Sequence, residues 1–222
     1  MPLSEQNLAS RIRQHPAKIR DVSLAVIGIL LFASSIHQGF PVKLLALFGL
    51  TGTALVIVYS TLKQRPLETF GLDIIRKKTL LYCLPAAGLG LLLGMLSRNS
   101  FDISIFPARI SGVALVAPLV GAMEELIFRG YVQGHLRVIG RIFSVIYSSA
   151  VHTCYKLLVI LSLTIPLQFD FFYLVLWTFL GGLLIGSLKE LSRSSLPPML
   201  AHAVFDVVLY GGLATFPAWV WA

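Results

Sequence analysis

Charge is scarce in this chain. Asp, Glu, Lys and Arg make up 13% of its 222 residues against 56% hydrophobic residues, a balance that excludes a water-soluble globule. No polar stretch is long enough to build a soluble domain. Cysteine is nearly absent. Cys83 and Cys154 both fall inside apolar runs, a spacing that excludes a disulfide or metal framework and makes both expected small buried hydrophobes. Internal repeats and low-complexity tracts are also missing, which disfavours a transporter built from duplicated halves. Acidic residues number only 10 against 18 Lys and Arg, a formal net charge of +8. That excess is dispersed over short segments between apolar runs, so no basic face for nucleic acid results.

What the chain has is apolar runs of roughly 17 to 25 residues, each long enough to cross a hydrocarbon core of about 30 Å as a helix. Seven helices are expected, at 22–38, 42–62, 79–97, 111–136, 141–163, 170–188 and 196–214. The fold class is therefore all-α, a polytopic transmembrane helical bundle. Pro41, Arg65-Pro66, the stretch from Arg98 to Pro107, Pro166 and Pro197-Pro198 punctuate the runs. Residues 67–80 read as a short amphipathic segment lying at the membrane interface. The chain divides into a basic tail over 1–21, N-terminal transmembrane helices with that interfacial segment over 22–110, a core over 111–214 and a tail over 215–222. Arg11, Arg13, Lys18 and Arg20 precede the first apolar run as in a signal peptide, but the run from Val22 to Ile36 lacks a convincing small-residue cleavage site before His37-Gln38 and a second apolar run follows at once, so a retained first helix is expected.

Positive charge orients such a bundle, because cytoplasmic loops carry the excess of Lys and Arg. Residues 1–20, the segment from Lys63 to Lys78, the turn with Arg137 and Arg141, and the loop with Lys189 and Arg193 hold most of it. The opposite loops hold Lys43, Arg98 and Arg109. A cytoplasmic N-terminus and a C-terminus on the far side are predicted. Glycines four residues apart, Gly90 with Gly94, Gly130 with Gly134 and Gly182 with Gly186, are expected to let neighbouring helices of the same chain approach closely.

Ionisable groups inside a membrane helix cost several kcal/mol unless paired or hydrated, so each marks a functional hypothesis. The fourth span contains Glu124, Glu125 and Arg129. Glu125 and Arg129 share a helix face and neutralise each other, whereas Glu124 points about 100° away and needs another partner. The fifth span holds His152, and the seventh holds His202 with Asp206 four residues on. At about 1.5 Å per residue from the cytoplasmic ends, Glu124 and His152 lie roughly 15 Å deep and His202 and Asp206 about 9 and 15 Å. Three helices thus bring acid and imidazole groups to similar depth in the cytoplasmic half. Lys156, one turn beyond His152, is expected to pack or reach water. His37 and His135 fall near the interfaces and need no chemistry.

These strings resemble the CAAX protease and bacteriocin-processing (Abi) family, which includes the prenyl-protein endopeptidases. The resemblance runs from about Ala114 to Tyr210. Paired glutamates followed by three residues and arginine match Glu124, Glu125 and Arg129, with Gly130 behind. A histidine in the next span matches His152, and a histidine with Asn or Asp four residues on matches His202 and Asp206, after the similar stretch Ser195 to Ala201. Two positions depart from the pattern. Ser148 stands where the family usually has Phe, and Asp206 stands where prenyl endopeptidases have Asn. An Asp donates a hydrogen bond only when protonated. Phe70-Gly71-Leu72 is a further small match.

The resemblance implies an intramembrane endopeptidase acting on a membrane-associated protein or peptide, without a cofactor. Glu124 and His152 would hold and deprotonate a water, His202 oriented by Asp206 would stabilise the tetrahedral intermediate, and Glu125 with Arg129 would position the Glu124 helix. No Ser or Cys stands beside a base in these motifs, so no covalent intermediate is implied. A zinc protease using Glu124, His152 and His202, and a non-catalytic scaffold or bacteriocin-immunity protein, are the alternatives.

Overall fold

The computed structural model describes residues 8–63, 66–72, 77–164 and 170–215. Arg65, Arg76, Pro166 and the tail from Phe216 lie outside them, so the roles expected of those positions are untouched. Every regular element among the described residues is a helix: α1 Leu8–Gln14, α2 Pro16–Ser35, α3 Lys43–Leu62, α4 Pro66–Phe70, α5 Lys77–Ser100, α6 Gly112–Glu125, a π-helical segment Leu126–Gln133, α7 Gly134–Leu136, α8 Arg141–Leu161, α9 Phe171–Ser192 and α10 Leu196–Tyr210.

A helix covers each of the seven expected segments, with shifted ends. Pro16, pre-set for a first helical turn, starts α2 six residues early. Pro85 and Pro118, absent from the expected breaks, lie inside α5 and α6. By length and hydropathy, four helices among the described residues qualify as spans: Lys43–Leu62, Thr79–Ser100, Arg141–Leu161 and Phe171–Ser192. The other three fall short for identifiable reasons. The first turns of α2 hold Lys18, Arg20 and Asp21, the run from α6 to α7 holds Glu124, Glu125 and Arg129, and α10 has 15 residues.

Burial separates the helices by role. The spanning window of α8 is 61% buried, against 28% for α3 and 22% for α5 and α9, so α8 is the central helix and the others line the lipid-facing wall. The outward strip of α8 is Ile142, Ile146, Cys154 and Leu161. Cys154 is therefore exposed rather than buried as expected: eight residues from Ile146, it lies about 80° round the helix from it, at the margin of the outward face. Cys83 is half-buried. Phe128, Tyr131 and Val132 of the π segment join Tyr155 and Val159 of α8 and Val22, Ile29 and Phe32 of α2 in the largest apolar core.

The paired glycines do mediate close packing within the chain. A Cβ on Gly90 would lie 2.1 Å from the Ala201 carbonyl oxygen, and one on Gly94 2.8 Å from Val208, so α5 and α10 touch backbone to backbone. Gly130 faces Phe70, Gly182 faces Ser149 and Gly186 faces Gln133. Two basic residues counted as loop charges are instead structural. Arg98, 4% exposed, donates to the carbonyls of Val208, Leu209 and Gly211 at 3.1, 3.2 and 2.9 Å and closes the C-terminal end of α10. Lys189 is buried inside α9. The α9–α10 turn is tied to α4 by Ser195, whose Oγ donates to Phe70 O at 2.6 Å and whose N–H donates to Gly71 O at 2.9 Å.

Candidate active site

The site begins where the helix changes its winding. After Glu125 the α6 backbone passes into eight residues of π-helix, a form that recurs at functional sites. The carbonyls along this segment are met by side chains from neighbouring helices. Ser148 Oγ donates to Phe128 O at 2.6 Å, Lys189 Nζ donates to Arg129 O and, at 3.1 Å, to Gly130 O, and His135 Nδ1 stands 3.0 Å from Tyr131 O. Ser148 has no room to be aromatic, since it fills the gap between the segment and the guanidinium, 3.4 Å from Arg129 Nη1. Phe128 stacks on His152 with centroids 4.5 Å apart, and Tyr155 does so at 6.3 Å.

Glu125 and Arg129 meet as the spacing predicts. Their side chains are fully buried, with Arg129 Nε 3.6 Å from Glu125 Oε2. Arg129 Nη2 also donates to His152 Nδ1 at 3.3 Å and to Gly182 O at 3.4 Å. A guanidinium only donates, so His152 Nδ1 accepts and its proton sits on Nε2. That Nε2 lies 3.4 Å from Glu124 Oε2.

Glu124 is the meeting point. Besides His152, its Oε2 lies 3.7 Å from His202 Nε2, and Lys156 Nζ grips both carboxylate oxygens, at 2.9 Å from Oε1 and 2.8 Å from Oε2. Lys156 is thus a partner not expected from the sequence, although its place one turn past His152 puts it on the same face. His202 is oriented differently from expectation. Its Nδ1 is 3.0 Å from Glu125 Oε1, while Asp206 Oδ1 is 3.9 Å from Nε2, beyond hydrogen-bond range. Glu125 rather than Asp206 holds the ring, since a carboxylate reached from the next helix fits Nδ1 and Asp206 lies one turn along on the Nε2 side.

The cluster fits together because α6 has no side chain at Gly121. A Cβ there would stand 2.4 Å from Asp206 Oδ2 and 2.8 Å from the His202 ring. A glycine three residues before paired glutamates was the available sequence signal. A cavity of about 420 Å³ adjoins the cluster, lined by Arg129, His152, Lys156, His202 and Asp206 and by apolar residues that include Leu93, Trp177, Phe205 and Leu209. Among the described residues no group of three or more His, Cys, Asp or Glu is arranged to hold a metal ion.

Residues 106–208 match the family described as Type II CAAX prenyl endopeptidase Rce1-like. No curated protein and no solved structure gives a significant match to the chain. The matched stretch runs from before α6 to within α10 and contains every member of the cluster around Glu124. With its long apolar helices, the chain is an integral membrane protein related, through residues 106–208, to the CAAX protease family of membrane endopeptidases.

Proposed function

We propose that the chain is an intramembrane endopeptidase that hydrolyses a peptide bond in a membrane-associated protein or peptide, using water activated by Glu124. The observation that carries this reading is the convergence on one carboxylate oxygen of imidazoles from two other helices, His152 at 3.4 Å and His202 at 3.7 Å. Arg129 keeps His152 Nδ1 as an acceptor, so the neutral His152 donates from Nε2 and orients Glu124 rather than taking the proton. Glu124 is the base. It removes one proton from a water as the water oxygen bonds to the substrate carbonyl carbon and the carbonyl electron pair moves to oxygen. Collapse of that intermediate breaks the C–N bond, the leaving amine takes the proton from Glu124, and the new carboxylic acid releases its own to water. His202, held through Nδ1 by Glu125, presents Nε2 to the reacting centre.

Glu124→Gln and His152→Ala test the assignment. Each should abolish cleavage of a membrane-anchored substrate while membrane insertion and abundance stay near wild type, because glutamine keeps size and hydrogen bonding but cannot take a proton. A scaffold or immunity protein behaves differently: Glu124→Gln keeps the biological phenotype and no uncut substrate accumulates on immunoblots. The zinc reading differs in one measurement, loss of activity in strong chelators.

A further inference from the structure

The hydrolysis proposed above creates a negative charge on the substrate oxygen, and the site must meet it with a donor. Two basic side chains, Arg129 and Lys156, line the cavity. Arg129 is committed. It is fully buried, with Nη1 on Ser148 and Nη2 shared by His152 and Gly182, while Nε makes no hydrogen bond but is held 3.6 Å from its counter-charge on Glu125, away from any free position. His152 is engaged at both nitrogens, Asp206 in its ionised form only accepts, and His202, held at Nδ1 by Glu125, has the single position Nε2 to offer beside the lysine. Lys156 differs in kind, because its ammonium carries three N–H donors and only two are directed at Glu124, at 2.9 and 2.8 Å.

We infer that Lys156 is a further catalytic residue, whose ammonium passes from the Glu124 carboxylate to the oxyanion during attack. The argument is one of moving charge. Before attack the negative charge nearest Nζ is on Glu124. When Glu124 takes the water proton it becomes neutral, and in the same step the carbonyl oxygen becomes anionic. The ammonium next to the base therefore stands next to the new charge without having to travel far, and the group that held it has just lost its hold. A fixed cation in a low-dielectric, largely water-excluded site favours that state over the neutral starting carbonyl. An ordinary buried ion pair would leave the chemistry unchanged once the fold is intact.

The inference rests on the peptidase reading, and the test separates the two. The probe is the membrane-anchored protein that accumulates uncut in cells carrying Glu124→Gln, assayed in detergent with Lys156→Ala, Lys156→Met and Lys156→Arg, each normalised to folded enzyme. Lys156→Ala and Lys156→Met should lower kcat about 10²- to 10³-fold with KM little changed, the loss typical of a missing oxyanion donor. Lys156→Arg should recover part of it. Ethylamine, small enough for the space vacated beside the cavity, should restore activity to Lys156→Ala in a saturable way and do nothing for Glu124→Gln. A purely structural lysine gives another pattern. If activity per folded molecule is near wild type in both truncations, or is lost but unmoved by arginine and ethylamine, Lys156 is not catalytic. If Glu124→Gln cuts normally and accumulates nothing, the peptidase reading and this inference fall together.

Discussion

Glu125 Oε1 lies 3.0 Å from His202 Nδ1 while its other oxygen stands 3.6 Å from Arg129 Nε. One buried carboxylate thus fixes a histidine on α10 and compensates an arginine on its own helix. The adjacent glutamates take different partners: Glu125 meets Arg129 and His202, and Glu124 meets Lys156, His152 and His202. Glu125→Gln should leave His202 an acceptor but deprive Arg129 of its counter-charge. Abundance in membranes should fall more than activity per folded molecule, whereas Glu125→Leu should lose both.

Removing the other partner is more severe. Arg129→Ala strands Glu125 in a dry site at a cost of about 3 to 5 kcal/mol, and it frees His152 Nδ1 as well. Both folded protein and activity should drop, measured by detergent thermal unfolding and substrate cleavage. Full expression with full activity would remove the structural role given to the pair.

Asp206→Asn should be mild. At 3.9 Å from His202 Nε2 the carboxylate does not hold the ring, and an amide can occupy the same place while adding a donor. Cleavage within a few-fold of wild type is expected; complete loss would mean that the carboxylate charge itself is needed.

Two glycines give a stability and activity contrast. Gly90→Ala drives a methyl toward the Ala201 backbone oxygen, 2.1 Å away before relaxation, and should destabilise the bundle by about 1 to 3 kcal/mol as overpacking does. Gly121→Ala presses on Asp206 Oδ2 and the His202 ring instead. Its unfolding temperature should change less than its cleavage rate. Equal losses in both measurements for both variants would contradict this division.

The proposed orientation rests on the basic segments near the N-terminus and around Arg137 and Arg141. A reporter fused after residue 20 should read cytoplasm and one after Ala222 the opposite side. A cytoplasmic reading after Ala222 would mean one span too many or too few.

The parts legible in the sequence were those governed by spacing along one helix or by depth across several. Glu125 with Arg129 follows from a four-residue interval, and the meeting of Glu124, His152 and His202 follows from three positions at comparable depth. Azimuth was not legible. Which face of α8 turns outward decides that Cys154 is exposed and that Lys156 points at Glu124, and hydrophobic periodicity is weak when lipid and core are equally apolar. Nor did charge counts reveal their targets: Arg98 and Lys189 read as loop charges but bind carbonyls of α10 and of the π segment.

The π segment carries a consequence for fragments. Its carbonyls from Phe128 to Tyr131 are met by Ser148, Lys189 and His135, and two of those three side chains lie on separate helices. A synthetic peptide spanning 112–136 would lack Ser148 and Lys189 and would relax to the ordinary winding that isolated apolar helices adopt. Each residue so rewound turns the glutamates relative to the C-terminal end of the segment, so the angular setting of Glu124 against its histidines belongs to the assembled bundle and cannot be carried by its own segment alone.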